Sequence, residues 1–190
     1  FTLPEAALAL LLVGLLATVS APAALERLAR ARVAAAGREI AMEMARLRAE
    51  AITGGRHTGL RLEWRGGSYR FAPHADGDGD GIRSEDAAAG IDPPLRPARD
   101  LRSRYAGIDF GLLDAAIPEV PPGTGALAPH SDPVRFGRSD IVSFSPRGTS
   151  SSGTLYISDG RRAVAAIVLY GGTGRIRVWS YDRHHGRWNR

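Results

Sequence analysis

The first twenty-five residues, FTLPEAALALLLVGLLATVSAPAAL, limit what this chain can fold into more than any other stretch. Between Glu5 and Glu26 no side chain is charged, and only Thr18 and Ser20 carry a hydroxyl. About twenty such residues, rising 1.5 Å each as an α-helix, match the roughly 30 Å of a bilayer's hydrocarbon. Glu5 stands at the edge of that run. A lone carboxylate deep in lipid costs about 2.5–3.5 kcal/mol, so it asks for a partner. The sequence starts at Phe1 rather than at a methionine, which implies a removed leader and makes the new α-amine the nearest cation. One subunit's amine would then meet another's Glu5. An ordinary secretory signal carries basic residues ahead of its apolar core, whereas here an acid precedes it.

Beyond the run, Val33, Ala36, Ile40, Met44, Leu47 and Ala51 recur at spacings of three and four, drawing one apolar stripe to lie under a sheet. Arg30, Arg38, Glu39, Arg46 and Glu50 fall largely off it. The helix is expected to continue to about Ile52, before Thr53-Gly54-Gly55, giving a rod of about 75 Å. That is too long for one globule, so its first half must find company elsewhere. Gly14 and Pro22 are soft points: Pro22 removes a backbone donor and either kinks the helix or loosens it locally.

Phe1-Thr2-Leu3-Pro4-Glu5, with Gly14 and Pro22 following, resembles the mature N-terminus of a type IV pilin or a type II secretion pseudopilin. The resemblance implies cutting before Phe1 by a prepilin peptidase, N-methylation of Phe1, and use of Glu5 for assembly into a helical filament. It further implies an inner-membrane assembly platform as partner. The chain would be a single-pass protein of the bacterial inner membrane first, and part of a periplasmic or cell-surface fibre (a pilus or fimbrium) afterwards. Pro4 departs from the aliphatic residue usual there. In a first helical turn proline lacks only an N–H that has no intrahelical acceptor.

The expected fold is α+β, the pilin arrangement of a long N-terminal helix with a protruding apolar half, packed on an antiparallel sheet. Residues 1–25 form the filament-core segment, 26–53 the amphipathic half, and 54–190 a β-rich head with a loop-rich insertion at about 73–135. With 190 residues there is length for one head of roughly 140. Cysteine is absent, so no disulfide and no thiolate metal site is available. The formal charge of +5 comes from arginine alone. In the head, Leu60, Leu62 and Trp64 alternate with Arg61, Glu63 and Arg65, and Gly66-Gly67 turns the chain into Tyr69 and Phe71.

The stretch from His74 to Asp86 alternates aspartate with glycine. Asp76, Asp78 and Asp80 can curl round one hard cation, with Gly81 permitting a sharp turn, Ile82 offering a carbonyl and Asp86 or Glu85 closing the shell. The spacing is similar to the first half of an EF-hand or dockerin loop, but its twelfth position is Ala87 rather than glutamate. Calcium is the expected ion, and a solvated Gly-Asp turn is the alternative. From Ile91 to Pro133 proline and glycine break the pattern, and the segment is expected to be surface decoration or a subunit contact, with Ile108, Phe110, Leu112, Leu113 and Ile117 tucked onto the core.

The C-terminal third is expected to give strands at 141–144, 153–158, 163–170 and 175–181, the third apolar on both faces and so central. Phe144-x-Pro146-x-Gly148, Gly153-Thr154-Leu155 and Gly174-Arg175-Ile176-Arg177 resemble the GspH/FimT domain of minor pilins and H-type pseudopilins. That resemblance keeps open a minor subunit that primes or caps a fibre, and a DNA-uptake pilin in which Arg175, Arg177 and Trp179 share one strand face to hold nucleic acid. The preferred reading of those arginines is plainer, an exposed edge strand kept from aggregating by charge. No nucleophile elbow or phosphate-binding lysine accompanies the serines and glycines, so catalysis is not expected.

Overall fold

The computed structural model describes residues 2–137 and 139–190, apart from the side chains of Leu16, Ala17, Val19 and Ser20. It is an α+β arrangement: one long N-terminal helix packed on antiparallel sheets. Helix α1 runs Leu3–Gly54 and ends at Gly55, the last turn reaching two residues past the expected Ile52. Pro22 lies inside it without ending it.

All six residues of the anticipated stripe, Val33 to Ala51, are buried. Full burial of an Ile, Leu or Met stabilises by about 1.5–3 kcal/mol, against roughly 0–1 kcal/mol for an exposed ion pair, so this stripe fixes how the helix lies. Leu3, Leu8, Leu10, Leu11, Val13 and Leu15, by contrast, are all exposed.

After α1 come β1 (Thr58–Arg65) and β2 (Ser68–Ala75), a hairpin closed by Gly66-Gly67 with Arg65 opposite Ser68. A short helix, α2 (Ser84–Ala89), follows the acidic turn. Short strands come next: β3 (Arg99–Asp100), β4 (Asp109–Phe110), β5 (Ile117–Pro118), β6 (Ala126–Leu127) and β7 (Val134–Arg135). The longer ones are β8 (Ile141–Phe144), β9 (Gly153–Ser158), β10 (Val164–Tyr170) and β11 (Arg175–Asp182), with β12 (Arg187–Asn189) last. They form two main sheets, ordered β3-β2-β1-β8 and β12-β11-β10-β9-β4, with β7 also on β9; β5 and β6 pair separately.

Period two then divides the second sheet between two cores. Leu155, Ile157, Ala165, Ile167 and Leu169 face the α1 side, joined there by Leu60, Phe71, Val142 and Phe144 from the first sheet. Tyr156, Val164, Ala166, Val168 and Trp179 face the other way. That outer face is covered by Leu112, Leu113, Ile117, Val120 and Leu127. The proline-rich segment is therefore not decoration: these five of its residues close a second core, since a sheet strand apolar on both faces needs cover on both.

The rest of that segment is strapped to α1 by charge. Arg96 contacts Glu43 at 2.7 Å and Glu50 at 2.9 Å, Arg99 contacts Glu43 at 3.2 Å, and the Tyr105 hydroxyl donates to Glu39 at 2.9 Å. Glu43 is only 9% exposed, a buried acid that the spacing of stripe residues did not flag. Trp64, read from alternation as a core residue, is 58% exposed, because β1 runs past the edge of the core at its C-terminal end.

Candidate functional site

At the N-terminus, Phe1, and with it any pairing of its amine, lies outside the described residues. Glu5 sits at the third position of α1, where its Oε2 accepts from the Thr2 backbone N–H at 2.7 Å and from the Thr2 hydroxyl at 3.0 Å. It thus caps its own helix, satisfying a donor that the first turn leaves without an intrahelical partner. Both bonds are exposed, so the carboxylate remains open to a cation from outside. A Cβ added at Gly14 would meet no other part of the molecule within 4 Å, and Pro22 is carried on the same unburied stretch. Among the described residues no helix is long and apolar enough to cross a membrane.

The acidic turn leaves β2 and is built around two buried carboxylates. Asp76 accepts three backbone N–H groups: Gly79 at 2.7 Å and Asp78 at 3.2 Å on Oδ1, and Gly81 at 3.0 Å on Oδ2. Burial pushes its carboxyl up, but these amides more than offset that and hold it below the usual carboxylate range. The second carboxylate is Asp92, fully buried, which accepts from Gly77 N–H at 3.1 Å and Arg83 N–H at 3.0 Å. Its main-chain oxygen lies 2.8 Å from His74 Nδ1, tying β2 to the far side of the turn. Gly77 is required for close approach, because a Cβ there would run into the Ile91 carbonyl. Gly81 has φ +101°, outside what an L side chain readily adopts.

Asp76, Asp78 and Asp80 each offer an oxygen, all within 4.8 Å of one another. That spread suits oxygens placed round a calcium ion at about 2.3–2.6 Å, and Asp76 Oδ2, which accepts a single amide, keeps a lone pair for it. Asp80 is raised by desolvation and by Asp78 and Asp86 beside it, against the pull of Arg83 at 2.5 Å. The donor set thus fits a hard cation. Asp86 is not part of the group: its main-chain oxygen receives the N–H groups of Gly90, Ile91 and Asp92, which ends α2 and starts the return. The Ile82 side chain packs beside Gly59. Sequence reasoning missed Asp92, since it stands before two prolines and outside the Asp-Gly repeat; its only signal was an acid in an otherwise apolar breaker.

On β11 the three residues singled out do share a face, opposite Tyr170, Val168 and Ala166 of β10. Trp179 is nonetheless buried, and the Arg190 guanidinium lies over its ring at 4.6 Å, so no open stacking surface is present there. Nor is β11 wholly an edge: β12 pairs with Ser180–Asp182, leaving only the Arg175 end unpaired on that side. His184 and His185 belong to the turn between β11 and β12, where His185 Nδ1 lies 2.7 Å from Asp182. No protein-family model matches this chain, and neither a curated protein nor a solved structure does.

Proposed function

We propose that the chain is the structural subunit of a helical filament of the type IV pilin or pseudopilin kind, held together through its N-terminal helix. The observation that supports this is the division of α1: a buried stripe from Val33 to Ala51 and a row of exposed leucines from Leu3 to Leu15. Each of those leucines gains about 1.5–3 kcal/mol on leaving water, so the segment is stable in lipid or among copies of itself. Identical chains repeating by a rotation and rise that do not close make a fibre. In this reading α1 with its head is the pilin fold, the apolar half passes from a bacterial inner membrane into the fibre core, and Glu5 meets a cation on the next copy. The resemblance supplies the N-methylated Phe1 amine for that role. Calcium held by Asp76, Asp78 and Asp80 would stabilise the head, and no catalytic role is assigned.

The strand motifs of the GspH/FimT type favour, as a second reading, a minor subunit of a type II secretion or pilus machine that primes or caps a fibre made of another protein. Electron microscopy of the purified full-length chain after detergent removal separates the two. Fibres of this chain alone support the main reading, and they should fall at least tenfold in yield with Glu5→Ala. Normal fibre yield from Glu5→Ala would defeat the assembly mechanism. Fibres only with added partner subunits would favour the minor role.

A further inference from the structure

Two corners of the head carry complementary chemistry that neither the helix nor the acidic turn uses. At the first, a cavity of about 400 Å³ is lined by Trp64, Tyr69, Phe110 and His130, with the exposed Asp132 at its rim. The Trp64 and Tyr69 rings meet edge-on at 5.0 Å, and Tyr69 meets Phe110 at 6.0 Å. Asp132 Oδ1 accepts from Val134 N–H, which leaves Oδ2 for a guest. Burial, then the negative charges of Asp132, Asp140 and Asp109, push the Tyr69 hydroxyl up, so the field in this corner is negative. His130 on the rim has φ +56°, a left-handed conformation that a non-glycine residue holds only when its surroundings enforce it. Aromatic faces beside a carboxylate suit a flat cation, and guanidinium fits best because it stacks and donates two parallel hydrogen bonds.

The second corner is a cavity of about 410 Å³ bordered by Tyr170, Thr173, Arg175, Arg177 and Arg190. Among the described residues none of these arginines is in an ion pair. The two corners belong to different sheets and opposite faces: Trp64 and Tyr69 come from β1 and β2 and Phe110 sits on the α1 side of β4, whereas Arg175 and Arg177 share the outer face of β11 with Trp179. Phe110 enters through β4, which pairs at the Ser158 end of β9, whereas Tyr170 and Arg175 close the β10–β11 turn beside the Gly153 end. A donor and an acceptor so placed on one molecule cannot satisfy each other, but they can satisfy a copy displaced along a fibre.

We propose that the arginine corner of one copy, Arg175 and Arg177, docks into the Trp64–Tyr69–Asp132 cavity of the next, making a head-to-tail contact between heads. This rests on the filament reading, which it extends from the helix to the head. The test uses full-length chains carrying Asp132→Arg with Asp140→Arg, or Arg175→Glu with Arg177→Glu. Each reversed protein alone should give at least tenfold fewer fibres, and an equimolar mixture should recover them, because every mixed contact is again of opposite sign. The milder Asp132→Asn and Arg177→Gln should each weaken assembly about tenfold, and tryptophan fluorescence verifies that every variant is folded. Wild-type fibre yield from either folded reversal, or failure of the folded mixture to recover, overturns the contact while leaving the helix-driven filament intact. So does a folded Arg175→Glu, Arg177→Glu protein that loses salt-dependent duplex DNA binding yet polymerises normally. Absence of fibres from the unmodified chain, alone or with partners, removes the filament reading and this contact together.

Discussion

Replacing Asp92 by alanine should be among the most damaging single changes in the head, although the residue belongs to no motif. Its carboxylate is fully buried and is the acceptor for two main-chain donors, Gly77 N–H and Arg83 N–H, on opposite sides of the acidic turn. Truncation leaves both donors without a partner. Each such loss costs about 1–3 kcal/mol, so the pair costs about 2–5 kcal/mol after allowing for partial access of water to the turn. For a chain of this size that corresponds to a fall in Tm of roughly 4–20 °C. Asp92→Asn keeps one acceptor oxygen but turns an NH2 toward the second donor, so its loss should fall between wild type and alanine. The assay is urea unfolding of the full-length protein in micelles, followed by tryptophan fluorescence. All three tryptophans, Trp64, Trp179 and Trp188, lie beyond α1, so the signal reads the head and not the helix. A destabilisation by Asp92→Ala of under about 1 kcal/mol would refute the argument that this carboxylate organises the turn.

The same turn makes two further predictions. With an affinity near 10⁻⁴ M, as in extracellular calcium modules, 10 mM calcium should add about 2.7 kcal/mol to head stability, and Asp78→Ala should abolish both that gain and the calorimetric heat; absence of heat at millimolar calcium would reject the ion. Without calcium, pH should act through Asp76 and Asp80 in opposite senses. Asp76 has a depressed pKa when folded, so its contribution is present above the unfolded value near 3.9 and is lost as pH falls through the folded one. Asp80 is raised, so its charge is unfavourable at neutral pH and its protonation relieves the turn. Asp76→Asn should therefore flatten the loss of stability between about pH 5 and 2, and Asp80→Asn should stabilise the calcium-free protein at pH 7; stability that falls with Asp80→Asn would contradict the repulsion.

Periodicity made most of the fold legible. The stripe from Val33 to Ala51, the Gly66-Gly67 hairpin and the central place of Val164–Tyr170 all depend on spacings that local geometry enforces, 3.6 residues for a helix and two for a strand. The three aspartates at alternate positions were legible for the same reason, because a tight glycine-rich turn brings near neighbours together whatever surrounds it.

What tertiary structure alone decided has long sequence separation and no period. Pairing β8 with β1 instead of β9 splits the strands into two sheets, and that choice depends on which edges α1 brings together. The burial of Trp179 and the exposure of Trp64 depend on where each strand ends relative to the core, which alternation cannot say. The cover that residues 112–127 lay over the second sheet, and the hold of Asp92 on a turn fifteen residues earlier, join segments whose own composition reads as loop. A local pattern fixes which faces are apolar; which surface each face meets is settled only when the whole chain has collapsed and every buried donor has found its acceptor.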